Sequence, residues 1–103
     1  MYYIFTDQLK ITSVKLNSQS TKLTVDELTR MTLRCDVDSN SGYHTKLLNN
    51  SQTLREVMNS NTAEYTWNEA GCLDTGTYRC EAGNNIKSDV ARSIDLVVRC
   101  KLI

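Results

Sequence analysis

Proline is absent from this 103-residue sequence, histidine occurs once, as His44, and glycine four times. So few glycines leave no glycine-rich loop to cradle a phosphate. A lone histidine at a loop-to-strand boundary has no partner for general-base work, and no serine or cysteine stands in a nucleophile motif. There is no C-x-x-C pair, so the close-spaced ligand sets of zinc sites are missing. Acidic pairs such as Asp26-Glu27 are too scattered for calcium. Neither sign of charge is in excess: twelve Lys and Arg balance twelve Asp and Glu. That balance excludes the basic footprint of a general nucleic-acid binder. No long apolar run is present, so no direct membrane insertion is expected. Met1-Tyr2-Tyr3-Ile4-Phe5 lacks a basic n-region and is too short to be a signal peptide. No enzyme activity, no metal and no cofactor is therefore expected. The absence of proline is unusual at a domain edge and by itself excludes nothing.

What is present is one domain's worth of chain, with 40% hydrophobic and 23% charged residues, ordinary for a globular protein. Cys35, Cys72, Cys80 and Cys100 point to two disulfides and an oxidising compartment, with three pairings open.

The dominant hydrophobic period is two. Met31 to Val37 alternates without a break, turning Leu33, Cys35 and Val37 inward and Thr32, Arg34 and Asp36 to water. Ile94, Leu96, Val98 and Cys100 share one face of a second strand, and Tyr78, Cys80 and Ala82 one face of a third. Ala63 to Trp67 reads as a fourth, with Tyr65 and Trp67 on one side. Turn-rich stretches separate these runs at Asp38–Gly42, Asn49–Ser51, Asn59–Asn61 and Gly83–Asn85. Short strands between such turns predict a sandwich or barrel. The one helix-like stretch, Thr53 to Met58, is too short to stand alone.

Asp74-Thr75-Gly76-Thr77-Tyr78-Arg79-Cys80-Glu81-Ala82-Gly83-Asn84 resembles the I-set immunoglobulin signature D-x-G-x-Y-x-C-x-A-x-N at every specified position. Val25 to Cys35 resembles the family's strand A′ to strand B segment, with Leu28 where a glycine is usual and an irregular turn expected there. Leu96-Val97-Val98 resembles strand G, and Lys87 stands where the F–G turn often has glycine. The resemblance implies an all-β, immunoglobulin-like antiparallel β-sandwich with Greek-key connections of seven or eight strands. It places the domain at residues 8–100, with 1–7 as an N-terminal flank and 101–103 as the start of a C-terminal linker. It also implies a Cys35–Cys80 bridge between the sheets, at a spacing that suits sets lacking strand C″. Tyr78, Asp74 and Gly76 would form a tyrosine corner, the Tyr78 hydroxyl bonding nearby backbone.

The resemblance departs at strand C, where Leu47 takes the place of the usual buried tryptophan. Trp67, the only tryptophan, falls on strand E and is expected to enter the core, covering the disulfide from the other side. Leu33, Leu47, Trp67 and Leu96 are the expected core. In this fold the E–F turn and the end of strand G share a pole, which implies a Cys72–Cys100 bridge. Asn49-Asn50-Ser51 is an N-glycosylation acceptor expected on the C–C′ turn. Lys46, Leu48, Arg79, Glu81, Asp95, Val97 and Arg99 are expected outward on the G-F-C face, with Leu48, Arg79, Val97 and Arg99 as a possible binding face.

The function implied is a non-catalytic extracellular recognition or adhesion module of a larger cell-surface or secreted protein, innate immune recognition included. Its partners would be a protein or glycan and the flanking domains of its own chain. The alternatives are an intracellular sarcomeric or cytoskeletal spacer, since giant muscle proteins use the same pattern, and an accessory module of an enzyme. More loosely, the chain is similar to Ig-like domains of invertebrate secreted lectins that carry a fibrinogen-like domain.

Overall fold

Alternating apolar residues need a second apolar face to cover them, and here two sheets cover each other. The computed structural model describes residues 9–38, 44–83 and 90–101. Its strands are β1 (Lys10–Leu16), β2 (Leu23–Asp26), β3 (Met31–Asp38), β4 (His44–Asn49), β5 (Gln52–Met58), β6 (Thr62–Trp67), β7 (Gly76–Gly83) and β8 (Val90–Arg99). One sheet has the order β1-β3-β6 and the other β2-β8-β7-β4-β5. All pairs are antiparallel except β2 with β8. The chain changes sheets between β1 and β2 at Asn17 and Ser18, both with positive φ. Asn17 fixes that corner, its Nδ2 donating to the Arg30 carbonyl (3.0 Å) and its Oδ1 accepting from the Thr32 amide (2.8 Å). Among the described residues no helix is long and apolar enough to cross a membrane.

The inward faces follow the alternation. Leu33, Cys35, Leu47 and Cys80 are 0% exposed, and Leu96 is 1% exposed. The Cys35–Cys80 disulfide joins β3 of one sheet to β7 of the other, with Cα atoms 6.3 Å apart. Asp36, on the opposite face of β3, ties its sheet together from outside. It accepts hydrogen bonds from Ser13 on β1 (2.9 Å) and Thr62 on β6 (2.9 Å), and pairs with Arg34 (3.2 Å).

Three expectations need correction here. Thr53 to Met58 is not helical but lies inside β5, hydrogen-bonded to β4. Its register is interrupted: Leu47 faces Arg55 while Leu48 faces Thr53, so Leu54 is bulged out of the pairing. Leu48 is buried, not outward, because β4 buries both of the residues that flank this irregularity. Asn49 is the last residue of β4 and half-buried, so the turn proper is Asn50–Ser51, with Asn50 at φ 57°. The Lys87 position lies outside the described residues.

Two local conflicts remain in the fold, and each predicts a stabilising substitution. Leu28 sits at φ 73° and is 65% exposed. The left-handed region costs a side chain about 1–2 kcal/mol, which glycine escapes while losing some unfolded-state entropy in return. Leu28→Gly will therefore raise stability by about 0.5–1 kcal/mol; an unchanged or lower melting temperature would count against strain at this turn. Thr45 on β4 is fully buried, and its hydroxyl has no hydrogen-bond partner. Thr45→Val removes that stranded group at nearly constant volume and will raise stability by about 1 kcal/mol in urea unfolding.

Candidate binding cleft at the tyrosine corner

Between β6 and β7 the chain turns through a short 3-10 segment, Cys72–Asp74. Asp74 holds this turn in three ways. Its amide donates to the Gly71 carbonyl (2.9 Å), its Oδ2 accepts from the Gly71 amide (2.7 Å), and its carbonyl accepts from the Tyr78 hydroxyl (2.7 Å). Gly76 enters β7 at φ 157°, a conformation that a side chain rarely adopts. Tyr78 is 1% exposed. Burial, then the Asp74 charge and neighbouring Tyr65, push its hydroxyl from 10.0 up to about 12.

The buried hydroxyl makes two readings of one variant. Tyr78→Phe strands the Asp74 carbonyl and will lower stability by about 1–2 kcal/mol. The tyrosine's pKa is higher folded than unfolded, so its contribution is fully present below pH ~10 and lost as pH rises towards ~12. Wild-type protein will lose more stability than Tyr78→Phe across that alkaline window. Parallel pH profiles for the two proteins would remove the buried tyrosine from this account.

Trp67 closes the other side of the corner. Its ring stacks on Tyr78 with centroids 5.6 Å apart and meets Tyr65 at 5.5 Å. Its Nε1 donates to Asp74 Oδ2 (3.2 Å). Trp67 reaches the core as expected but does not cover the disulfide. In register, Ala63 stands opposite Cys35, while Trp67 stands opposite Met31 at the far end of β6. Trp67 packs against the core but stays half-buried. The reason lies in the sheets: among the described residues β6 is an edge strand, and β5 passes to it through Asn59–Asn61 with no strand D between.

That open side leaves a cleft of about 170 Å³ lined by Asn49, Gln52, Leu54, Tyr65, Trp67, Asp74 and Tyr78. Asn49, the register partner of Tyr78 on β4, brings its Nδ2 to 3.5 Å from the Tyr78 hydroxyl. Sequence reasoning placed Asp74 with Tyr78 in the tyrosine corner and Tyr65 beside Trp67 on one face of a strand, but missed that the two pairs converge, and missed Gln52 and Leu54 as their neighbours. No group of His, Cys, Asp and Glu able to hold a metal occurs among the described residues.

Next to the corner, Cys72 is bonded to Cys100, with Cα atoms 5.6 Å apart. Glu27 adds to this clasp: its Oε1 accepts from the Lys101 amide (2.8 Å), and its own amide donates to the Arg99 carbonyl (3.1 Å). Thr75 Oγ1 accepts from the Val98 amide (2.8 Å). These contacts fix the end of β8 against the turn.

The expected binding face on the larger sheet does not assemble. Leu48 is buried, Val97 half-buried, and Arg79 pairs with Glu81 (2.7 Å). Arg99 pairs with Asp26 (2.9 Å), both well solvated. Arg79 stands beside Ser93 on β8, so Val97 lies roughly 13 Å further along the strand.

No protein-family model and no curated protein matches the chain. Solved structures do. A chimeric titin Z1Z2 carrying a peptide from decorin superposes with a TM-score of 0.74 at 16% identity, over 92% of this chain and 98% of that one. The twitchin kinase fragment of C. elegans, an autoregulated kinase with immunoglobulin domains, gives 0.73 at 17% identity, over 93% and 22%. Drosophila OTK, extracellular domains 3–5, gives 0.68 at 14% identity, over 87% and 35%. The chain thus spans about a third of the length of the OTK fragment and about a fifth of the twitchin one. At these identities the likeness is one of fold: the chain is an immunoglobulin-like domain.

Proposed function

We propose that this chain is an extracellular recognition module of the I-set type, occupying residues 8–100 of a larger cell-surface or secreted protein. It binds a protein or glycan partner and turns over no substrate. The observation that carries the reading is the Cys72–Cys100 bond. Cys72 lies in the exposed 3-10 turn and Cys100 just beyond the end of β8, and with Cys35–Cys80 they leave no free cysteine. Thiols placed this way stay reduced in the cytosol and pair in oxidising compartments. N-glycosylation at Asn49 belongs to the same reading. The likeness to titin and twitchin favours a second reading, an intracellular spacer.

Alkylation of protein isolated from its native source without reductant separates the two. The extracellular reading expects no labelled thiol, and a linked peptide pair containing Cys72 and Cys100. Recovery of Cys72 and Cys100 as separately alkylated peptides would move the assignment to the spacer.

A further inference from the structure

The walls of the cleft at the tyrosine corner carry three aromatic rings and one carboxylate, and no cationic side chain. Ring faces are negative, so they act in the same sense as the carboxylate. The charge is also held in place, since Asp74 Oδ2 accepts from both the Gly71 amide and the Trp67 indole. Asn49 and Gln52 add neutral amide groups able to accept hydrogen bonds. The carboxylate and the rings select a cation over an anion. The volume of about 170 Å³ admits a side chain and little more. Among cationic side chains, a guanidinium fits best: it is planar, stacks on aromatic faces, and donates in its own plane to carboxylate and amide oxygens. The cleft opens where β5 and β6 form the edges of the two sheets, so an extended chain can approach it along a strand edge.

We propose that the cleft formed by Trp67, Tyr65, Tyr78 and Asp74 binds the guanidinium of an arginine on an extended segment of a partner protein. The proposal rests on reading the chain as a recognition module, and names the chemistry of its partner. It concerns the domain without a glycan on Asn49, which lines the cleft.

Trp67 is the sole tryptophan, so its fluorescence reports on this cleft alone. The purified domain is titrated at low salt with the capped tripeptide Ala-Arg-Ala and with the same peptide carrying citrulline, a neutral isostere of arginine. A saturable change is expected with the arginine peptide, at least about tenfold weaker with citrulline, and weaker again at higher salt. Asp74→Asn keeps a hydrogen-bond acceptor but removes the charge, and will abolish the preference for arginine. Tyr65→Leu lies outside the hydrogen bonds of the corner and will weaken arginine binding in a domain that still unfolds cooperatively. Absence of a saturable change with the arginine peptide, equal responses to the two peptides, or an undiminished preference in Asp74→Asn would overturn the proposal. A null titration beside fully paired thiols removes arginine recognition and leaves the extracellular reading intact; free thiols beside arginine binding do the reverse.

Discussion

Replacing Cys35 and Cys80 together by alanine will lower the unfolding free energy by about 2–5 kcal/mol. A domain of this size has about 5–15 kcal/mol in total, so the variant will be marginal at body temperature. The bond closes a loop spanning 45 positions and joins the centres of the two sheets, where both cysteines are 0% exposed. The Cys72→Ala/Cys100→Ala pair supplies the control. Its loop spans 28 positions, and the loop-entropy difference between the two bridges is only about 0.4 kcal/mol. Cys72 is exposed and Cys100 half-buried. A gap well above that figure in paired urea titrations measures what burial adds at Cys35 and Cys80. Equal losses for the two pairs would show that loop closure alone decides.

Leu47→Ala will cost about 2–5 kcal/mol, the usual range for a leucine removed from a filled core. Leu47 is fully buried and stands in register with Cys80, so its removal opens a cavity beside the disulfide. The reverse change is expected to fail as well. The I-set pattern has tryptophan at this place, yet the core has closed around leucine, and Leu47→Trp overpacks it by about 1–3 kcal/mol. A Leu47→Trp domain as stable as wild type would mean that space remains beside Cys80. Calorimetry of both variants checks the pair of expectations.

These effects fall where the sequence was most readable. Met31–Val37 and Thr77–Ala82 alternate because each buries one face only, and alternation reports facing directly. It does not report depth. Trp67 faces inward as its phase requires, yet it sits at the end of an edge strand, where nothing covers it completely. Nor does alternation survive a bulge. Leu54 and Val57 are the two half-buried residues of β5, and their spacing of three imitates a helix. The cause is the slip between Leu47 and Leu48 on the neighbouring strand, which also buries Leu48. The cleft itself was out of reach. Its walls come from β4, β5, β6, the 3-10 turn and β7, and no local pattern records such a convergence.

The two disulfides interlock, because Cys72 lies inside the segment that Cys35 and Cys80 close. Under tension this makes the domain nearly inextensible beyond its N-terminal part. Force entering from the N-terminus reaches Cys35, crosses to Cys80, steps back to Cys72, crosses to Cys100 and leaves. Even fully unfolded, the chain between Cys35 and Cys100 adds to the stretched length only the short run from Cys72 to Cys80, at about 3.5 Å per residue. Beyond that run, among the described residues only the chain before Cys35, which holds β1, β2 and the start of β3, can lengthen, so a pulled oxidised domain behaves as a short tether with a hard stop. Breaking Cys35–Cys80 alone replaces the run from Cys72 to Cys80 by the longer run from Cys35 to Cys72, and the stop moves outward by the difference between the two.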